Sequence, residues 1–462
     1  MRRALALGAA CVVLACSNVP LPQSIATPQA PPAASSSALR TTSTEAGTAG
    51  EGRETRLVAR MLDQVQSARG LEAKKPVPSV LLDRAALISR VRTHVSHELP
   101  PDAIRNEGLA LQLLGFVPTQ FDYESAEYQL LQDQLAGYYE PADGTMYMAN
   151  DLGDEEATAT LAHELVHALQ DQTWNLEERS RYRPGDSDRA EALSALAEGD
   201  ATSAMFDVMI ARSAPSSGKT AADLPDGVFE DQIRRAMEQG QGPGAPHVMR
   251  TSLAAPYIYG TLFVHALRRR GGWEAVNRAW DDPPSTTEQI IHVDKWLQHE
   301  MPLPTDAPTY ASLGPGWTVA DEDSEGELGA CIAFEEWMGR KKAAETSVGW
   351  GGDRGRLLKS GDRAAFAWRL RFDDGVKAKE DRALHAYSSI VQGLSGTLGR
   401  PTTKDAKFVC YERTDRGPFA VSRSGVDLIF LAGPATTSES VWVSAGDCAL
   451  ARRWMKEIVG DR

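Results

Sequence analysis

The chain has 462 residues, 42% hydrophobic and 24% charged, enough for two folded units of ordinary globular composition. Its formal net charge of −14 argues against nucleic acid as a partner, because phosphate backbones call for a basic surface. The acidic balance identifies no substrate.

At the N-terminus, Arg2 and Arg3 precede an apolar run, Ala4 to Ala15, that is too short to span a bilayer. The run ends in Val13-Leu14-Ala15-Cys16, which resembles the lipobox of bacterial lipoproteins. The resemblance implies removal of residues 1–15, lipidation of Cys16, and an extracytoplasmic, cell-envelope location on a membrane anchor. Cys11 would leave with the leader. Cys331, Cys410 and Cys448 remain, an odd number in an oxidising compartment, so one disulfide and one free thiol are expected. Cys410 with Cys448 is the favoured pair, since both lie in the final, strand-rich section. Residues 16–52, rich in Ala, Pro, Ser and Thr, cannot bury a core and read as a tether.

From Arg53 to about Leu114, apolar residues recur at helical spacing, punctuated by Pro76, Pro78, Pro100 and Pro101. Aromatic segments around Pro141-Ala142-Asp143-Gly144 predict a β-hairpin, with Thr145 to Ala149 as an edge strand. Asp154 is the expected N-cap of a helix running to about Thr173, with Glu155 and Glu156 in its first turn. A second long helix is expected from Ser187 to Arg212, followed by a Pro/Gly-broken excursion and helices over 257–270 and 273–280. Beyond about Pro315, strands over 365–372, 407–413, 426–431 and 440–444 alternate with helices near 325–339, 377–394 and 449–458.

The chemistry centres on His163-Glu164-Leu165-Val166-His167. Residues four apart share a helix face, so both imidazoles can reach one ion, with Glu164 beside them to take a proton from water. Zinc suits such donors, and a catalytic site needs three protein ligands and an open position. The third ligand should come from the second helix, where Glu198 and Glu191 point almost the same way. A carboxylate on so apolar a helix is costly to bury without a cation.

The stretch His163 to Asp171 resembles the active helix of gluzincins such as thermolysin. That resemblance implies zinc-dependent peptide hydrolysis, with Asp171 supporting a ligand histidine. Glu198-Gly199-Asp200-Ala201 is similar to the third-ligand motif of gluzincin aminopeptidases, which favours Glu198 over Glu191. Tyr257-Ile258-Tyr259-Gly260 resembles the helix that carries their transition-state tyrosine, mapping to Tyr257 with Tyr259 as competitor. His292, in Pro283 to His292, is a further candidate for oxyanion or substrate contact. That segment, and a resemblance running from about Leu130 to Trp368, is similar to bacterial lipoproteins carrying this histidine motif. The sequence departs from thermolysin at Thr202, where no acidic residue follows Glu198 by four, so the support of His163 is undefined.

The expected fold is α+β: a mostly helical gluzincin-like zincin unit with a small sheet over 53–314, then a smaller α+β unit over 315–462. The expected activity is hydrolysis of a peptide or protein substrate with one zinc ion. The rival reading is an inactive zincin-fold lipoprotein acting as a binding or scaffold protein, which the intact Glu164 and ligand set oppose.

Overall fold

The computed structural model describes residues 11–14, 47–240, 244–373, 381–438 and 441–460, so the lipidation candidate Cys16 lies outside the described residues. Strand β1 (Cys11–Leu14) and helix α1 (Gly47–Arg69) lead to β2 (Ser79–Leu82), then to α2 (Arg84–Glu98), α3 (Ala103–Leu114) and α4 (Tyr123–Gln134). The hairpin β3 (Leu135–Glu140) and β4 (Thr145–Ala149) precedes α5 (Asp154–Trp174), short α6 (Leu176–Ser180) and α7 (Ser187–Ser213). Next come α8 (Asp226–Gly240), α9 (His247–Asp281), α10 (Thr287–Ile291) and α11 (Val293–Leu297). The C-terminal part comprises β5 (Thr318–Asp323), α12 (Gly326–Met338), α13 (Arg340–Ser347), β6 (Trp350–Ser360), β7 (Arg363–Phe372) and α14 (Arg382–Leu398). It continues with β8 (Thr403–Lys404), β9 (Phe408–Tyr411), β10 (Phe419–Ser424), β11 (Asp427–Thr437), β12 (Trp442–Ser444) and α15 (Cys448–Val459). The molecule is a mixed α+β protein. Among the described residues no helix is long and apolar enough to cross a membrane.

The small sheet runs β1-β3-β4-β2. The expected turn forms, with Gly144 at φ +66° and the Asp143 carboxylate accepting from the Thr145 N–H at 3.0 Å. The expectation that Thr145 to Ala149 is an edge strand is corrected, because β4 is paired on both sides, by β3 and parallel β2. It is β3 that packs most closely on α5.

Gly153, not Asp154, is the N-cap of α5, and Asp154 is its first helical residue. Asp154, Glu155 and Glu156 still face the positive helix end. The two helices expected over 257–280 belong to one element starting at His247, broken at Gly271-Gly272, where Gly272 takes φ +61°.

The large sheet is antiparallel throughout, in the order β5-β6-β7-β11-β10-β9-β8, with β12 on β11. Alternation along β7 sends Phe366, Trp368 and Leu370 to one apolar layer and Ala365 and Ala367 to the other. The first layer joins α12 and α14 to residues from before position 314, among them Leu113, Leu131, Tyr257 and Ile258. Regions 53–314 and 315–462 therefore share a core. Trp454 of α15 closes the opposite layer. Cys410 and Cys448 form the expected disulfide, and Cys331 is a buried free thiol.

Candidate metal centre

The helix α5 buries His163, Glu164 and His167 completely, against α7, which contributes Glu198. The His163 and His167 Nε2 atoms lie 3.0 Å apart. Glu198 Oε2 is 3.1 Å from His163 Nε2 and 3.6 Å from His167 Nε2. Three ligand atoms held tetrahedrally at roughly 2.0–2.2 Å from one cation would themselves be spaced roughly 3.3–3.5 Å apart. The three side chains therefore fit a metal ion.

The hydrogen-bond pattern fixes the protonation of one ligand. The Gln170 Nε2 amide donates to the Ala197 carbonyl at 3.1 Å, which turns its Oε1 towards His167 Nδ1 at 2.8 Å. That nitrogen must then carry the proton of a neutral ring, leaving Nε2 with a bare lone pair facing His163 and Glu198. Burial lowers the pKa of His163, which keeps it neutral, and its Nδ1 has no hydrogen-bond partner. Burial alone would raise Glu198, and its carboxyl falls to about 2 only through the charge and hydrogen bonds of protonated imidazoles, a role that passes to a cation when both rings are neutral. A carboxylate and two imidazole nitrogens thus converge in a dry site, an arrangement that a cation satisfies.

Glu164 projects beside this group with both carboxylate oxygens buried and without a hydrogen-bond partner. Burial pushes its pKa well above the usual carboxylate range, opposed by His167 and assisted by the charge of Glu198. Tyr257 on α9 is buried, and its ring centre lies 6.2 Å from that of His163. Tyr259 points elsewhere, towards Cys331 and Glu335, and burial raises its pKa. The structure thus separates Tyr257 from its competitor.

The approach of α7 to α9 depends on two glycines. A Cβ on Gly199 would lie 2.0 Å from the Gly260 carbonyl carbon, and one on Gly260 would lie 1.8 Å from the Ala195 oxygen. Only bare backbone allows the two helices to touch here, one residue from Glu198 and three from Tyr257. Behind the site, Asp200 pairs with the buried Arg69 and accepts from the Trp280 indole at 2.8 Å. The Arg69 guanidinium lies 4.4 Å from the Trp273 ring centre. Neither Gln170 nor the Arg69–Asp200 pair was expected from the sequence. Gln170 could have been found, since it sits three residues after His167 on a shared helix face.

Other sequence candidates lie outside the group. Asp171 does not support a ligand histidine; it accepts from the Tyr139 hydroxyl at 2.9 Å and the Leu176 N–H at 3.0 Å, holding β3 and the α6 entry. Glu191 lines a separate cavity and is not one of the converging ligands. His292 pairs with Glu327 of α12 at 3.0 Å, a bond between segments and not a contact with the site. Its surrounding segment is similarly occupied, since Thr287 donates through N and Oγ1 to Asp188 of α7, at 2.8 and 2.6 Å. Glu288, Glu300 and Asp373 also cluster, but the Lys295 ammonium already sits among them, 2.7 Å from Glu300 and 3.0 Å from Asp373. In Gly349 to Arg354, Asp353 accepts from the Glu325 and Gly326 amides and from the Trp350 and Trp368 indoles, which ties α12 to the large sheet.

A sequence family described as a domain of unknown function (DUF8575) matches residues 317–442. No curated protein matches the sequence. A crystal structure from Chloroflexus aurantiacus, of a provisionally assigned hydrolase with a novel fold, is similar over 55% of this chain and 90% of that one, at 18% identity and a TM-score of 0.34. A likeness this slight transfers neither fold nor activity to the chain.

Proposed function

We propose that the protein is a zinc-dependent peptidase of gluzincin type, carried in the bacterial cell envelope on a lipid at Cys16. The observation that carries the reading is the enforced lone pair of His167, aimed at the point where His163 and Glu198 also converge. His163, His167 and Glu198 would hold the ion, and two nitrogens with one carboxylate oxygen suit zinc. When bound, zinc supplies a Lewis acid that polarises a carbonyl and makes water more acidic at neutral pH.

The remaining steps belong to the chain's own side chains. Glu164, buried and unpaired, takes a proton from the attacking water and returns it to the leaving amine, base first and acid afterwards. Tyr257 donates its hydroxyl to the developing oxyanion. An extended substrate would lie along β3, which borders the metal-binding helix, on the edge that Cys11–Leu14 occupies and that removal of residues 1–15 would free.

The test is digestion of casein and of a mixed peptide library by wild-type protein and by Glu164→Gln, with zinc content determined for both. Cleavage by the wild type that stops with chelator, and zinc-loaded but inactive Glu164→Gln, are the expected results. Equal cleavage by the variant would reject Glu164 as the base.

A further inference from the structure

The site is closed to solvent. His163, Glu164 and His167 have no exposed surface, and Glu198 is only 6% exposed. A peptide cannot reach a base that water does not touch, so an element beside the site has to leave before hydrolysis begins.

The leader strand β1 has the position of that element. Strand β3 is buried along its whole length. One of its edges pairs with β4. The other pairs antiparallel with β1, placing Cys11 opposite Tyr139, Val12 opposite Tyr138, Val13 opposite Gly137 and Leu14 opposite Leu135. β1 also touches α4 and α5, so it fills a slot bounded by a strand and two helices. The slot adjoins the catalytic helix at two points. The Tyr139 backbone, opposite Cys11, reaches Glu164. Gly137, opposite Val13, lies against Thr160, one turn before Glu164, and a Cβ there would be 3.1 Å from the Thr160 methyl carbon.

β1 is held less firmly than its neighbours. Its ladder has four pairs, with the register broken between Val13 and Leu14, whereas β4 is paired on both sides. It also belongs to the residues 1–15 whose removal the lipobox resemblance implies. Without β1, the edge of β3 would present its N–H and C=O groups to any extended chain that enters the slot. Leader and substrate therefore compete for one edge.

We propose that β1 is an autoinhibitory strap: the chain is latent while residues 11–14 occupy the edge of β3, and removal of residues 1–15 opens the slot to an extended peptide. The proposal rests on the peptidase reading given above. It couples activity to delivery, because the cut that exposes Cys16 for lipidation is also the cut that frees the substrate edge.

The experiment compares the full chain, prepared unprocessed with its leader intact and supplied with zinc, with Val12→Pro/Val13→Pro. Adjacent prolines remove ladder N–H groups from β1 and lie outside the catalytic group. Two quantities are read: cleavage of a quenched fluorescent peptide, and hydrogen exchange of the amides in 135–140. The unprocessed wild type should cleave slowly, with protected amides. The double variant should cleave about tenfold to a hundredfold faster, the bias that four cross-strand pairs supply, and exchange faster in β3 with unchanged zinc content. A synthetic peptide with the sequence of residues 9–15 should inhibit the variant and restore protection; the same peptide carrying both prolines should do neither. Equal cleavage by the two chains would overturn the strap, and so would β3 amides equally protected in both. Failure of both chains to cleave is a separate outcome: it rejects the peptidase reading and latency with it, and the exchange data alone then decide whether β1 fills a strand-binding slot.

Discussion

Glu164 is in a costly position, buried beside Glu198 with no side-chain hydrogen-bond partner for either oxygen and only the Tyr139 backbone to offset burial besides His167. Replacing it with glutamine removes the charge and keeps the shape, so zinc should stay while hydrolysis falls by about 10²- to 10⁴-fold, read from initial rates on a peptide substrate. Gln170 orients His167, and Gln170→Ala should weaken zinc binding about 10- to 100-fold in a chelator competition, with the fold intact by circular dichroism. His163, His167 and Glu164 were legible in the sequence, because a four-residue spacing on a helix leaves little choice of face, whereas spacing left Glu198 and Glu191 open and only the family resemblance favoured Glu198. The support of His167 was not. Asp171 and Gln170 are adjacent and both within a turn of His167; the Ala197 carbonyl on α7 selects the amide, and that carbonyl is visible only once two helices are packed. Tyr257 and Tyr259 are two residues apart, which places them on opposite sides of α9, so packing alone could choose between them.

At the scale of elements, the Gly199–Gly260 crossing sets the distance between α7 and α9. A methyl group at residue 260 meets backbone and cannot be relieved by a side-chain rotation. Gly260→Ala should cost about 2 kcal/mol or more in denaturant unfolding and lower activity further than the stability loss explains, since it moves Glu198 and Tyr257 apart. The hairpin and most helix positions followed from periodicity and turn residues, though α4, α8 and α13 did not, α8 lying inside the expected Pro/Gly-broken excursion. The strands β5, β6 and β10 did not. Trp350-Gly351-Gly352 opens β6 with two glycines, which read as a loop, yet Asp353 and the bulge between Trp350 and Gly352 seat it in the sheet. The same three-dimensional context moved Thr145–Ala149 from the sheet edge to its interior, since parallel pairing with the distant β2 leaves no local signal.

The whole molecule has one apolar layer running across residue 314, from α3 and α4 into the large sheet. Composition shifted at that point, and the sequence alone suggested two separate cores. The disulfide closes a separation of 38 residues in the large sheet, remote in sequence from His163, His167 and Glu198. Reducing it should lower stability by about 4 kcal/mol in a urea titration without releasing zinc, on the loop-entropy account. A metal held by His163, His167 and Glu198 would link α5 to α7 and should act on the whole fold. Chelation at a thousandfold excess of zinc over its dissociation constant should remove about 4 kcal/mol of stability, seen as a lower Tm. The most direct measurement is the zinc content per chain of purified wild-type protein beside His163→Ala and Glu198→Ala. About one zinc per chain is expected in the wild type and essentially none in either variant. Wild-type protein that binds no zinc when supplied with it, or variants that bind as much, would contradict it.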